Sequence, residues 1–379
     1  MKLAFFTETY LPNKDGVVTS ILSSKKELER KGHEVFIFCA GSRKAKRENK
    51  DPRAFYYFSA PFAPYPDYRI ALFPFFSEKK VKRLGVKLVH SHGMATMGLE
   101  ALRVSRSLKL PCVGSFHTLI PEATHYVASA SAVKKITKRI AWKYLKWYYN
   151  KCDLVITPSR IVKEMLEEHK VKNVQVVPNG VDVKRFHPRL NGSAIRKKYS
   201  LGKSPVVLHV GRLVLEKNLD VLIDAALLIL EEQPDCRFLI VGSGPAEKHY
   251  KEAVKRNGVS HAFTFTGFVP DEVLPSVYAA ADVFAFPSKF ETQGLVGLEA
   301  MACGKPVAGA RYLAVKEIVD DGKNGFLFNP DDSEDCAEAI LNTLEQRRNL
   351  SANARKTAEK YSIPKCTAKL LKAYEQVSR

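Results

Sequence analysis

The chain has 379 residues, more than one hydrophobic core usually supports, so its length predicts two domains. Hydrophobic residues make up 45% of it, and no apolar run approaches the roughly 18 residues that a membrane-spanning helix requires. The apolar run after Lys2 ends at Glu8, too early for a signal-peptide core, and the seven scattered cysteines include no C-x-x-C pair. We therefore expect a folded cytoplasmic protein in a reducing compartment.

The net charge of +20 is concentrated in the N-terminal half. Residues 1–190 carry 35 Lys and Arg against 16 Asp and Glu, whereas the remaining residues carry 25 against 24. This asymmetry predicts a polyanionic partner for the first half. We expect no nucleic acid partner, because the chain has no zinc-ligand spacing or RNA-recognition signature. A basic nucleic-acid-binding protein remains the remote alternative, and salt-sensitive binding of duplex without sugar chemistry would support it.

Predicted strands and helices alternate along the first half. A strand over 2–7 is followed by a loop containing Gly16, a helix ending near Gly32 and a strand over 35–39. Further strands are predicted at 87–90, 111–116 and 154–157. This alternation predicts a parallel, doubly wound α/β sheet.

The alternation pauses at a polar segment, 188–204, which we interpret as the linker between two domains. It resumes with strands predicted at 206–210, 237–241, 263–265, 283–286 and 306–308. We therefore place one domain at 1–190 and a second at 191–361. A long helical pattern over 333–372 is expected to break near Pro364.

The strongest motif contains two glutamates eight residues apart, Glu291 and Glu299. A helix beginning near Gly294 would direct its free N–H groups at a ligand beside Glu291, and helix N-termini favour phosphate. An ordinary amphipathic helix with two exposed glutamates is the alternative. The position between a predicted strand and Gly304 favours a binding site.

A second motif, Gly211-Arg212 with Lys217, directly follows the predicted strand 206–210. Ligands of α/β sheets bind at the carboxyl ends of the strands. The planar guanidinium and the point charge of the ammonium suit different oxygens of one diphosphate. A solvated surface pair is the alternative.

Three weaker signals lie at predicted strand ends. Gly16 allows close approach of the backbone to a ligand, and the segment 178–182 reads as a tight turn. His117 comes just past the strand 111–116; a lone histidine is more often structural, but this position favours a functional one.

Taken together, these motifs resemble glycosyltransferase family 4, a retaining family of GT-B fold, along essentially the whole chain. The matching segments are the Gly16 loop, His117-Thr118, Pro178 to Asp182, Gly211-Arg212 with Lys217, Gly242 to Pro245, Thr266 to Phe268, and Glu291 with Glu299. The resemblance implies two Rossmann-like domains facing each other across a deep cleft. It also implies that the last helix crosses back, so that about 362–379 complete the acceptor-side N-terminal domain, while 191–361 bind the nucleotide sugar.

The resemblance further implies roles for individual residues. Arg212 and Lys217 would grip the donor diphosphate, and Glu299 would bind the ribose. Glu291 would bind hydroxyls of the donor sugar, and His117 would lie near its reacting carbon. The backbone around Gly16, Gly294, Leu295 and Val296 would complete the phosphate site, with the loop after Gly267 bordering the base.

Cleavage of the donor leaves negative charge on the diphosphate, which fixed cations and a helix N-terminus can stabilise. The sequence has no Asp-x-Asp motif, so we predict neither a metal nor a cofactor. The family resemblance implies attack on the same face of the sugar, with the departing phosphate taking the acceptor's proton. We therefore do not assign Glu291 as the covalent nucleophile that a retaining glycosidase would use.

The predicted helix 134–151 is basic and amphipathic. It places Ile136, Ile140, Tyr144, Trp147 and Tyr148 on one side and Lys135, Lys138, Arg139, Lys143 and Lys146 on the other. Such helices dock on anionic membranes, although the apolar side can equally pack on the domain.

Segments 13–20, 116–122 and 291–294 resemble the diacylglycerol glucosyltransferase branch most closely. The resemblance implies transfer of a hexose, glucose being favoured, from a UDP-sugar to a membrane glycerolipid at the inner face of the cell membrane, with aromatics in 61–68 bordering the acceptor's path. A GDP-sugar is the alternative donor. Thr292-Gln293-Gly294 stands where family members often carry Gly-Phe-Gly, and this departure leaves the identity of the transferred sugar open. A soluble sugar or glycan would replace the lipid in a mannosyl- or glucosyltransferase of this family. A nucleotide-sugar epimerase is a rival reaction, which acceptor-independent turnover would reveal.

Overall fold

The computed structural model describes residues 1–13, 15–62, 65–72, 74, 77–119 and 131–378. Ala63 and Pro64 of the aromatic segment 61–68, and residues 120–122 of the segment 116–122, lie outside the described residues. The described chain divides into two compact units, unit 1 (Met1–Gly180 with Ile363–Arg379) and unit 2 (Val181–Ser362).

Unit 1 contains an eight-stranded sheet with helices on both faces. The strand order is β4-β3-β2-β1-β5-β6-β7-β8, with β3 and β4 antiparallel and the other neighbours parallel. Its elements are β1 (Lys2–Thr7), α1 (Gly16–Arg30), β2 (Glu34–Gly41), α2 (Arg43–Glu48), β3 (Ala54–Phe62), β4 (Tyr65–Ala71), α3 (Ser77–Leu84), β5 (Leu88–Ser91), α4 (Thr96–Leu108), β6 (Cys112–Ser115), α5 (Ser131–Tyr149), β7 (Leu154–Thr157), α6 (Arg160–Glu168), β8 (Val174–Val176) and α15 (Ile363–Val377).

Unit 2 contains a six-stranded parallel sheet in the order β11-β10-β9-β12-β13-β14. Its elements are α7 (Ser193–Lys198), β9 (Val206–Val210), α8 (Leu219–Glu232), β10 (Arg237–Val241), α9 (Glu247–Arg256), β11 (Phe263–Phe265), α10 (Leu274–Ala280), β12 (Val283–Phe286), α11 (Leu295–Ala302), β13 (Val307–Ala310), α12 (Val315–Ile318), β14 (Gly325–Phe328), α13 (Ser333–Glu345) and α14 (Arg347–Lys360). A short 3₁₀ turn, Leu215–Lys217, lies between β9 and α8.

The predicted α/β class is confirmed in both units. Central strands such as β1 and β9 are buried almost throughout, as expected for parallel strands covered on both faces. In each sheet the chain order reverses beside the first strand of the unit, between β1 and β5 in unit 1 and between β9 and β12 in unit 2. Such reversal points open a crevice at the carboxyl ends of the strands.

The units divide between Gly180 and Val181, earlier than the boundary predicted at residue 190. The Val181 amide donates to the Tyr361 carbonyl at 2.8 Å, and Phe186 is buried in the core of unit 2. These contacts assign the segment after Val181 to unit 2, and α7 lies within the polar segment that we expected to be a linker.

The last helix belongs to unit 1, as predicted. Leu370, Ala373 and Tyr374 of α15 are buried in the same core as β1 and α1. The break predicted near Pro364 falls at Tyr361-Ser362, and Pro364 lies in the first turn of α15, where its missing N–H costs nothing. A second break, at Gln346, separates α13 from α14 and was not predicted.

Candidate functional site

Three loops of unit 2 are joined backbone to backbone at the carboxyl ends of β9, β10 and β11. The Gly211 amide donates to the Val241 carbonyl at 2.9 Å, and the Gly242 amide donates to the Gly267 carbonyl at 2.9 Å. A Cβ on Gly242 would lie 1.9 Å from the Gly211 oxygen. Glycine is therefore required at position 242 for the loops to meet.

Lys217 and Glu291 form an ion pair at this edge, with Nζ and Oε1 2.5 Å apart. Lys217 ends the 3₁₀ turn after β9, and Glu291 follows β12. A backbone bond of 3.0 Å from the Lys289 amide to the Glu216 carbonyl joins the two loops. The structure thus brings together a cation and a carboxylate that are 74 residues apart. Arg212 lies partly buried in the same β9 loop.

Helix α11 begins where predicted, after Gly294. Gly294 has φ +85, and a Cβ there would lie 2.6 Å from Cε1 of Phe286. The amides of the next two residues, Leu295 and Val296, belong to the first turn of the helix, where N–H groups have no intrahelical acceptor. Together with the helix dipole, these amides form a site suited to an anion.

Glu299 lies on α11 and accepts a hydrogen bond of 2.8 Å from the Tyr278 hydroxyl to Oε2. Burial raises the pKa of this carboxyl to about 7, against the opposing effects of the Tyr278 hydrogen bond and the charge of Arg185. A carboxyl in this setting is a ready acceptor for ligand hydroxyl groups.

In unit 1, Gly16 is the first residue of α1, capped by Asp15, whose Oδ1 accepts from the Val18 amide at 2.8 Å. Gly16 is exposed, and a Cβ there would meet nothing within 4 Å. The fold of unit 1 therefore leaves this position free of packing constraints.

His117 lies just past β6, as predicted. Its Nε2 is 3.1 Å from Nδ1 of His92, which lies just past the neighbouring strand β5. Burial lowers the pKa of His117 to about 4, so its imidazole is neutral at physiological pH.

The basic helix predicted over 134–151 is α5, and its apolar residues divide between two faces. Trp142, Leu145, Tyr148 and Tyr149 are buried against unit 1. Ile136 and Ile140 are each 61% exposed, Trp147 is 49% exposed and Tyr144 is 37% exposed. Tyr148 was therefore wrongly grouped with the other four, because the helix packs through a face rotated from the predicted one.

Two family models match the chain. Residues 192–361 match "Glycosyl transferases group 1", and residues 14–185 match "Glycosyltransferase Family 4". Alpha-monoglucosyldiacylglycerol synthase of Streptococcus pneumoniae is 30% identical over 91% of this chain and 78% of that protein. The chain belongs to glycosyltransferase family 4. The enzyme of the same name from Acholeplasma laidlawii is also 30% identical, over 96% of this chain and 94% of its own.

Other similar proteins carry different names. A GDP-mannose-dependent alpha-mannosyltransferase of Corynebacterium glutamicum is 28% identical over 100% of this chain and 89% of its own. The solved structure of Anabaena HepE in complex with UDP superposes with a TM-score of 0.79, at 21% identity, covering 99% of this chain and all of that one. Sucrose-phosphate synthase of Thermosynechococcus elongatus superposes with a TM-score of 0.78 at 22% identity, covering 99% and 98% of the two chains. These superpositions confirm the GT-B fold.

Several polar residues at these sites were not predicted from the sequence of this family 4 chain. His92 and Tyr278 contact the predicted residues directly, and His209 on β9 is buried with Nε2 3.3 Å from where a Cβ on Gly211 would lie. The spacing of His90 and His92 at the end of a predicted strand could have revealed His92, because His117 lies just past the end of the next predicted strand. Nothing in the sequence points to Tyr278 as a site residue, because its distance from Glu299 depends on how α10 packs beside α11.

The described residues contain no cluster of three or more His, Cys, Asp and Glu side chains arranged to hold a metal ion. In the same part of the chain, no helix has the length and apolar composition needed to cross a membrane.

Proposed function

We propose that this family 4 glycosyltransferase transfers glucose from UDP-glucose to a membrane glycerolipid, with retention of the anomeric configuration and without a metal. The observation that carries the proposal is the Lys217–Glu291 pair beside the N-terminus of α11 in unit 2. The two relatives named alpha-monoglucosyldiacylglycerol synthase support the choice of sugar and acceptor. They match 91% and 96% of this chain.

In the proposed donor complex, Lys217 leaves Glu291 for the diphosphate. Its ammonium and the Arg212 guanidinium neutralise the phosphate oxygens, and the Leu295 and Val296 amides donate to the same group. Glu291, released from Lys217, accepts hydroxyl groups of the sugar. Glu299 accepts the ribose hydroxyls while Tyr278, which donates to its Oε2 in the present structure, keeps the carboxylate in place. The loop after Gly267 borders the base.

The bond that breaks joins the anomeric carbon to the diphosphate oxygen, and the bond that forms joins the same carbon to the acceptor oxygen. Charge that develops on the leaving diphosphate is met by the cations and helix amides that already contact it in the donor complex, so the transfer step itself needs little further reorganisation. The departing phosphate takes the acceptor's proton. We assign His117 a contact with the donor sugar, and its lowered pKa keeps the imidazole neutral there.

A bilayer surface is the proposed partner of α5. Ile136, Ile140 and Trp147 project from the helix into solvent, and Lys135, Arg139, Lys143 and Lys146 are exposed beside them. Apolar side chains can enter the headgroup region while each cation contributes about 1 kcal/mol on an anionic surface. An enzyme held in this way meets a lipid acceptor without leaving the membrane.

A mannosyltransferase acting on a soluble acceptor is the second candidate, because a GDP-mannose-dependent relative aligns with the whole chain. The test is to incubate the protein with UDP-glucose or GDP-mannose, with and without anionic vesicles containing diacylglycerol, and to measure released nucleoside diphosphate. We expect UDP release that depends on the diacylglycerol. Release from GDP-mannose with soluble sugars alone would favour the second candidate.

Two further measurements test the mechanism. The anomeric proton coupling in the NMR spectrum of the product should show the same configuration as the donor, and inversion would refute the proposed chemistry.

Activity should persist after EDTA treatment and dialysis; a loss restored by Mg²⁺ or Mn²⁺ would refute metal independence.

A further inference from the structure

Three imidazole rings lie side by side in unit 1 at the carboxyl ends of β5 and β6. The centroids of His90 and His92 are 3.9 Å apart, and those of His92 and His117 are 5.3 Å apart with planes only 13° from parallel. The hydrogen bond between Nδ1 of His92 and Nε2 of His117 is 3.1 Å long. His117, the residue assigned to the donor sugar, is thus the last member of a row.

His90, at the other end of the row from His117, has a hydrogen-bond partner at each of its two ring nitrogens. Nδ1 of His90 is 2.6 Å from the Tyr374 hydroxyl of α15, and Nε2 is 2.7 Å from Oγ of Ser115 at the end of β6. Phe5 of β1 packs against the ring of His92 with centroids 4.7 Å apart. The ring of His92 is therefore held by His90, by Phe5 and by its hydrogen bond to His117.

The hydrogen bonds also indicate where the protons lie. Burial lowers the pKa of His90 and His92 well below the ordinary histidine value, so each ring is neutral and carries one N–H. Nε2 of His92 is buried without a hydrogen-bond partner among the described residues. A buried N–H without an acceptor is rarer in proteins than an unused acceptor, so the proton of His92 belongs on Nδ1.

With the proton on Nδ1, His92 donates to Nε2 of His117. His117 then accepts at Nε2 and must carry its own proton on Nδ1. We propose that His92 is a positioning residue, which holds His117 in the Nδ1–H tautomer with a fixed ring plane, and that the Tyr374–His90–Ser115 contacts hold His92. The proposal rests on the assigned role of His117 only for its effect on transfer, because the tautomer can be measured without any substrate.

The test uses the full chain labelled with ¹⁵N-histidine, whose ring nitrogen shifts distinguish the two neutral tautomers; a His117→Asn variant assigns the signals. We expect wild-type His117 to show the Nδ1–H pattern. In His92→Phe, which keeps an aromatic ring but removes the donor, the pattern should become mixed or change to Nε2–H. In His92→Asn, whose amide can donate from near the Nδ1 position, the Nδ1–H pattern should persist. An unchanged His117 spectrum in His92→Phe, in a chain that keeps its melting temperature, would overturn the proposal.

Kinetics provide the second readout. His92→Phe should lower kcat about tenfold, the order expected when a catalytic group loses its orientation, with a smaller change in KM for the donor, and His92→Asn should restore most of kcat. A fall in kcat that Asn does not restore, or a change confined to KM, would refute positioning. Full transfer by His117→Ala would instead refute the role assigned to His117 and leave the tautomer result standing.

Discussion

Glu299 is a carboxyl of unit 2 whose protonation state changes near neutral pH in the folded chain. Its folded pKa of about 7 lies above the ordinary value of 4.5, with burial as the main cause. Between these two values the folded chain keeps a proton that the unfolded chain has lost. The contribution of Glu299 to the free energy of unfolding is therefore fully present below the unfolded pKa and is lost as the pH rises through the folded pKa of about 7.

We expect Glu299→Gln to remove this dependence, since the amide has the same shape and no charge. Unfolding midpoints measured from pH 4.5 to 8.5 should fall less steeply for the variant than for the wild type, while KM for the donor rises about tenfold or more through loss of a charged hydrogen-bond acceptor. Tyr278→Phe, which removes the hydrogen bond that lowers the pKa, should steepen the fall instead. Identical pH profiles for all three chains would contradict the assignment.

Gly294 combines a left-handed backbone with a close neighbour. Its φ is +85, and an added Cβ would lie 2.6 Å from the Phe286 ring, which is buried. Gly322 has a similar φ of +73 but nothing within 4 Å of an added Cβ. Gly322→Ala should therefore cost about 1 kcal/mol of unfolding free energy, and Gly294→Ala about 2–4 kcal/mol. Urea unfolding measures the free energy of unfolding of both variants. Equal decreases would mean that the Phe286 ring can move aside for the added methyl group without destabilising the fold.

Gly16 offers the opposite case, a glycine that the fold itself does not require. Its added Cβ would meet nothing within 4 Å, so Gly16→Ala should leave the unfolding midpoint unchanged or raise it slightly. If the donor phosphates approach this backbone closely, the methyl group should weaken donor binding about tenfold, measured by calorimetric titration with UDP-glucose. Unchanged affinity would remove Gly16 from the donor site.

At the scale of elements, α5 shows how one helix can both pack and present a surface. Trp142, Leu145 and Tyr149 bury one face, and they leave Ile136 and Ile140 on another. An apolar residue on a water-facing helix contributes little to folding, because it is equally wet in the unfolded chain. Ile136 and Ile140 are thus available to bind a partner.

We expect Ile136→Ser with Ile140→Ser and Trp147→Ser to lower partition into anionic vesicles at least about tenfold, since apolar side chains of this size favour burial by about 1.5–3 kcal/mol each. Vesicle sedimentation measures the effect, and the melting temperature should barely change. Leu227→Ser, at an exposed leucine on α8 of unit 2, is the matched control and should leave partition unaltered. Unchanged partition of the triple variant would remove α5 as the membrane surface.

At the scale of the whole molecule, the two ends of the chain share one core. Tyr374 and Ala373 of α15 are fully buried with β1 and α1, so residues distant in sequence complete unit 1. A chain ending at residue 362 would leave this core open to water and should lose hydrogen-exchange protection throughout unit 1, with protection in unit 2 retained. A chain lacking only Ser378 and Arg379 is the control. Retained protection of β1 in the truncated chain would refute this dependence.

The sequence alone determined the α/β class and nearly all the central strands, because strands buried on both faces read as continuous apolar runs. It also located Lys217, Glu291 and His117 at strand ends, where the carboxyl edge of a parallel sheet collects ligands. Strands β3 and β4, at one end of the sheet of unit 1, were missed; in β3 the partly exposed side chains break that pattern. The strand β14 was missed as well.

Tertiary structure alone decided which of these residues are neighbours. Lys217 meets Glu291 because β9 lies next to β12, and His92 meets His117 because β5 lies next to β6. Local hydrophobic periodicity does not determine strand order. It indicates only which side chains of a segment lie on the same face. The buried face of α5 was decided in the same way, because a helix with apolar residues on more than one side packs through whichever face fits the sheet and its neighbours.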